Sequence, residues 1–159
     1  MNRLLIIALL LLAPLARAVT LQPGDVVLIS QPCFMCSLIE IEEGLPYSHG
    51  GVIVRDQVGH FWVLEALNQI DRIPLDTFLA RRRKGTEPLY LRPHLKSTIA
   101  GKLNEFNTWL VQRFNTQFVG HSYDPDFLWN NRDDSGDKYY CSGFIVRLFT
   151  PALAAPVHI

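Results

Sequence analysis

Three cysteines stand in the 159 residues, and only one of them, Cys141, has no neighbour to pair with. It lies in Tyr139-Tyr140-Cys141-Ser142-Gly143-Phe144-Ile145-Val146, just ahead of an apolar helical pattern. That position puts the sulfur at a helix N-terminus, where unpaired backbone N–H groups and the helix dipole favour thiolate over thiol. Far upstream, Ser48-His49-Gly50-Gly51 supplies one imidazole between small residues that let a backbone or a ligand come close. Histidine is the side chain whose ordinary pKa, about 6.5, suits proton transfer near neutrality. Glu65 is embedded in the apolar run Phe61 to Ala66, where a carboxylate is costly unless it has a partner. A thiol, a base and an orienting carboxylate are the parts of nucleophilic acyl transfer. Each also has a plain reading: an inert buried cysteine, a loop histidine and an edge-strand glutamate facing water.

The other two cysteines, Cys33 and Cys36, form a C-x-x-C. The pattern suits a local disulfide or two structural thiols at a helix start. With His49 and Cys141 it would also complete a tetrahedral zinc set, the structural-zinc alternative. His60, His94, His121 and His158 show no paired spacing and read as surface residues.

Positioning these groups needs a small sheet and several helices. Pro23-Gly24-Asp25 is a turn feeding Val26–Ile29, a short buried strand. Cys33 to Glu43 has helical spacing and ends at Gly44. Val52-Ile53-Val54 and Phe61–Ala66 flank a turn and predict a hairpin. If it forms, Glu65 comes from the strand beside the one that His49 begins. Pro74 to Phe78 opens a short helix or turn, and the basic run Arg81-Arg82-Arg83-Lys84 reads as a solvated helix end or loop. Leu89 to Arg92 is a further strand, stopped by Pro93. Ile99, Leu103, Phe106, Leu110 and Phe114 recur at three- and four-residue spacing, which predicts an amphipathic helix over 99–114. Asn130 to Lys138 reads as a polar loop, and the segment after Pro151 as a peripheral tail. The fold class expected is α+β: a small antiparallel sheet packed by helices.

Composition narrows the function. Formal net charge is zero, without the basic excess that nucleic-acid binding needs. Residues 1–18 join Arg3 to the apolar core Leu4–Leu12 and to Ala16-Arg17-Ala18, the layout of a cleaved export signal. The apolar run is short for a membrane crossing, and no later stretch is long enough to span. The expected organisation is a signal peptide, 1–18, and one hydrolase domain, 19–159, exported to the periplasm or beyond. An odd cysteine in an oxidising compartment is itself a mark of a reactive thiol.

These motifs carry a resemblance. Cys141-Ser142-Gly143-Phe144-Ile145 resembles the nucleophile motif of the NlpC-type cell-wall hydrolases, a papain-like family. There the cysteine precedes the histidine; here His49 comes first, which is similar to the circularly permuted branch, the YiiX/YebB-like hydrolases and the lecithin–retinol acyltransferase relatives. Gly24-Asp25, Tyr47-Ser48-His49, Leu64-Glu65-Ala66, Pro74-Leu75 and Tyr140-Cys141-Ser142 match that branch in order, over nearly the whole mature chain. The resemblance implies a permuted papain-like fold with Cys141 as nucleophile, His49 as base and Glu65 as orienting residue. It implies Tyr123, in Gly120-His121-Ser122-Tyr123, as an oxyanion helper beside the Cys141 N–H. It implies amide or ester hydrolysis, on a peptidoglycan peptide or a lipid-like acyl substrate, with no cofactor and no metal. Tyr140 stands where the cell-wall peptidases often carry aspartate. A non-catalytic module binding an envelope ligand is the rival from another class.

Overall fold

The β-branched runs Val26–Ile29 (β1), His49–Arg55 (β2) and Phe61–Ala66 (β3) build the centre of a five-stranded sheet, completed by Ile70–Pro74 (β4) and Leu89–Leu91 (β5). In the computed structural model, which describes residues 20–127, 132–133 and 136–154, the strand order is β4-β3-β2-β1-β5, every neighbouring pair antiparallel. Four helices pack around it: Phe34–Glu43 (α1), Leu75–Ala80 (α2), Leu103–Gln117 (α3) and Cys141–Phe149 (α4). Two short strands, Arg132–Asp133 (β6) and Gly136–Asp137 (β7), pair with each other in the loop before α4. This is the α+β architecture expected from the sequence. The expected export signal and the end of the tail lie outside the described residues.

Alternation along the strands divides the sheet into two faces. Val52, Val54, Leu64 and Ala66 point to one face, against Phe106, Leu110 and Phe114 of α3 and Phe144, Leu148 and Phe149 of α4. Val27, Ile29, Ile53 and Val63 point to the other, against Leu75 and Phe78 of α2. Phe78, Phe114 and Phe144 are fully buried. Each such side chain contributes roughly 1.5–3 kcal/mol by leaving water. At the sheet edge by β5, buried Asp25 is held by Arg92 at 2.8 Å and 3.0 Å.

Four expectations need correction. The long helix starts at Leu103, not Ile99, because Gly101 adopts φ 85°, a left-handed turn that ends regular backbone before it. Ile99 still packs on the core from that turn. β4 went unread in the sequence. It is an edge strand with two exposed charged residues, and only an edge tolerates Pro74 opposite Trp62. The segment after α4 is not peripheral: Ala152 is fully buried and Leu153 pairs with Leu95. His121 is no simple surface residue, since its Nδ1 pairs with the Asp137 carbonyl at 2.9 Å and its ring packs on Tyr139.

Candidate active site

Cys141 is the first residue of α4, with Tyr140 as the extended N-cap. The helix's first internal bond runs from Phe144 N–H to the Tyr140 carbonyl, so the amides of Cys141, Ser142 and Gly143 have no partner inside the helix. The thiol is half-buried, and it is the free cysteine of the described residues. Behind it Gly143 leaves room for the Tyr140 ring, from which a Cβ there would lie 3.0 Å, a tight contact.

His49 opens β2, opposite Ile29. Its side chain belongs to the alternate set with Ile53 and Val63, and its ring lies 5.5 Å from that of Phe78. Glu65 stands on β3 opposite Gly51, two residues along from His49, so both side chains share a face. His49 Nε2 meets Glu65 Oε2 at 2.7 Å with both side chains 4% exposed. With Nε2 taken, Nδ1 is the ring nitrogen left for a thiol.

The helix carrying Cys141 packs on one face of the sheet, and the His49–Glu65 pair belongs to the other. They meet at the start of β2 because Gly50 has no side chain. A Cβ at Gly50 would lie 2.6 Å from Leu28 and 3.3 Å from Ile145 of α4. Of the two approaches the sequence left open at these glycines, Gly51 admits the neighbouring strand, since a Cβ there would lie 2.3 Å from Val63 and 2.8 Å from the Leu64 carbonyl, while Gly50 faces Leu28 and α4 and also lines the cavity beside Cys141.

Across this gap Cys141 and His49 interact. Burial alone would lower the pKa of the imidazole. Hydrogen-bonding with Cys141 and Glu65, and the negative charge of both, outweigh it and raise the pKa to about 9. An imidazolium at neutral pH is the partner that a thiolate needs. Pairs of this kind commonly tighten further once substrate is bound. Tyr123 is pushed up to about 12, by burial first and then by the charges of Cys141 and Asp124. It therefore keeps its phenolic proton at neutral pH, within reach of the Cys141 charge.

A cavity of about 230 Å³ opens onto Cys141, Ser142 and His49. Its other walls are mainly apolar: Leu28, Ile39, Leu45, Tyr47 and Ile145, with Glu43 at one side. Larger surface clefts lie elsewhere among the described residues, one of them between the β2–β3 turn and α3, but they hold neither Cys141 nor His49.

Cys141, His49 and Glu65, picked from the sequence, thus converge, and Tyr123 lies close enough to feel the charge of Cys141. Those that sequence reasoning missed are the ones holding the histidine side. The basic run is not a solvated loop: Arg81 Nη1 donates to Glu65 Oε1 at 2.6 Å. Arg83 donates to Glu40 at 3.2 Å, to Ser37 and to Ser30. Glu40 in turn accepts from Ser48, the neighbour of His49, at 2.9 Å. The signal was present. A buried carboxylate has two oxygens to satisfy, His49 can serve only one, and this run is the densest supply of cations in the chain.

The zinc reading falls on the same geometry. Cys33 and Cys36 are joined in a disulfide at the start of α1, so neither is a thiolate ligand. Cys33 sulfur also caps the helix, accepting from the Cys36 N–H at 3.0 Å.

The fold is similar to a crystal structure of metalloprotein YiiX from Escherichia coli O157:H7, with a TM-score of 0.68 and 25% sequence identity over 87% of this chain and 69% of that one. A metal is attributed to that protein. Among the described residues here, no group of three or more His, Cys, Asp or Glu could hold one. No curated protein shows significant sequence similarity to the chain. The family model for permuted papain-like amidases matches residues 20–158. That span takes in the whole five-stranded sheet and the four helices around it, His49, Glu65 and Cys141 included, and the chain belongs to the permuted papain-like amidase family, YaeF/YiiX, C92.

Proposed function

We propose that the protein is an exported cysteine amidase in which Cys141, His49 and Glu65 act as a triad. The observation that carries this reading is the alignment of one buried imidazole between a carboxylate at 2.7 Å and the free thiol at a helix start. The Cys141 thiolate attacks the carbonyl carbon of the substrate, forming a C–S bond. The oxyanion that develops is met by the Cys141 N–H and the Tyr123 O–H. His49, as imidazolium, gives its proton to the leaving amine, the C–N bond breaks, and a thioester remains on Cys141. Neutral His49 then takes a proton from water, whose oxygen attacks the thioester. A carboxylic acid leaves and the thiol is restored.

The apolar walls beside Cys141 favour a lipid-like acyl amide or ester over a polar peptidoglycan peptide, although the nucleophile motif, which resembles that of the NlpC-type cell-wall hydrolases, and the motif order, which is similar to that of the lecithin–retinol acyltransferase relatives, are together compatible with both. Export by a leader at 1–18, with 19–159 as one hydrolase domain in the periplasm or outside the cell, fits the Cys33–Cys36 disulfide. Among the described residues no helix is long and apolar enough to cross a membrane.

The test is covalent trapping. Incubation with p-nitrophenyl acyl esters, long-chain and short, followed by intact-protein and peptide mass spectrometry, should find one acyl group on Cys141, fastest for the longer chains. His49→Ala should suppress the adduct. No adduct, or an adduct that survives Cys141→Ser, rules out the thiol mechanism; preference for the shortest acyl group rules out the apolar substrate.

A further inference from the structure

We propose that Arg81 is a positioning residue for the base, a fourth member of the charge relay Cys141–His49–Glu65–Arg81; this rests on the triad reading above. Glu65 presents its two oxygens to two different cations. Oε2 faces His49 Nε2 at 2.7 Å, and Oε1 accepts from Arg81 Nη1 at 2.6 Å. The terminal torsion of a glutamate is soft and roughly two-fold, so a carboxylate held at one oxygen is free to twist. Held at both, it keeps Oε2 in line with the imidazole. The Glu65 side chain is 4% exposed and that of Arg81 34%, so the clamp is inserted from the surface onto a buried group.

The backbone gives this contact a rigid base. Arg81 is the C-cap of α2, and its N–H donates to the Phe78 carbonyl at 3.2 Å. Phe78 is the fully buried residue whose ring backs that of His49. One short helix thus supplies both the wall behind the imidazole and the donor that fixes its carboxylate. Arg83, two residues on, grips a separate set, Glu40 with Ser30 and Ser37, on the Ser48 side. None of these bonds reaches Glu65, so Arg81 is the arginine of the run that holds this carboxylate.

Two roles for Arg81 make different predictions. A through-space cation would act on the thiolate with or without Glu65. A positioning residue acts only through Glu65, so the two substitutions must be non-additive. The probe is iodoacetamide, which alkylates Cys141 and spares the disulfide, with rates followed by mass spectrometry from pH 5 to 10. In the unmodified protein alkylation at pH 7 should be fast. Arg81→Met should slow it about tenfold, the scale of losing a hydrogen bond to a charged group. Glu65→Gln should slow it at least as much, and the double variant should be no slower than Glu65→Gln alone. Arg81→Lys, which keeps the charge without the planar fork, should recover only part of the rate. It also stands in for Arg81→Met should circular dichroism show that variant unfolded. Additive slowing, or full recovery by lysine, would overturn the positioning role and leave the triad standing. Slow alkylation of the unmodified protein would take down the nucleophile reading, and Arg81 with it.

Discussion

The thiol and the imidazole of the candidate site are held in place by different physics. Cys141 depends on apolar packing: α4 is fixed by Phe144, Leu148 and Phe149 against Val52, Val54, Leu64 and the aromatic face of α3. His49 depends on charge: Glu65 and Arg81 on one side, and Ser48, Glu40 and Arg83 on the other. Dispersion and hydrophobic burial are insensitive to pH and fail when volume is removed. Ion pairs and hydrogen bonds in a buried setting respond to pH and fail when one partner is lost. In the proposed mechanism the thiol side therefore sets where the reaction occurs, and the imidazole side sets the pH range in which it can run.

Each side can be broken separately. The largest effect should come from Cys141→Ser, which deletes the sulfur while leaving packing almost unaltered. Hydrolysis of an acyl amide reporter should fall by roughly 10⁴-fold or more, with the melting temperature within a few degrees of the parent. A folded variant retaining a tenth of the activity would refute the thioester route.

Next comes Phe144→Ala, on the packing side. Phe144 is fully buried and meets Phe114 and Phe118 edge-on. Removing it should cost about 3–5 kcal/mol in chemical denaturation, while the His49 titration of whatever remains folded stays near its parent value. A loss under 1 kcal/mol would mean that α4 is not held by this core.

Gly50→Ala probes the seam between the two sides. The new methyl would lie 2.6 Å from Leu28 Cδ2 and 3.3 Å from Ile145 Cδ1, so Leu28 must turn aside and Ile145 presses α4 outward, at about 1–3 kcal/mol. Turnover should fall by more than the stability loss explains, because the thiol moves away from the imidazole. Unchanged turnover would show that the contact across Gly50 does not set the Cys141–His49 distance.

Glu65→Gln tests the charge side alone. The imidazolium is retained up to about pH 9 in the parent and lost above it, so the alkaline limb of kcat/KM should lie near 9. An amide can hold the ring but cannot favour its cation. The limb should move down toward 6.5, and turnover near neutrality should drop roughly tenfold to a hundredfold. A limb that stays near 9 would assign the raised pKa to Cys141 alone.

The smallest effect belongs to Cys33→Ser with Cys36→Ser. A ring that short restrains little of the unfolded chain, so the loss should be on the order of 1–2 kcal/mol, read from denaturant midpoints, with turnover preserved. An inactive but folded double variant would place α1 in the chemistry.

Residue type and spacing were enough to read the parts of the site. Cys141 ahead of an apolar helix, His49 between small residues and Glu65 inside an apolar strand each break a local pattern, and such breaks stand out in sequence. The sheet's central strands and α1 were legible for the same reason, since hydrophobic period and glycine stops are local signals. What the tertiary structure alone decided is how the parts are held. The pairing of Arg81 with Glu65 and of Arg83 with Glu40 spans 16 and 43 residues, and a run of four basic residues has the same appearance whether solvent or a buried carboxylate receives it. β4 shows its charges to solvent and pairs only because β3 leaves it an edge. Gly50 reads as freedom for the backbone, yet its role is to let a helix from one face reach an imidazole from the other. Long-range partners and close approach depend on where the chain returns, which no local pattern encodes.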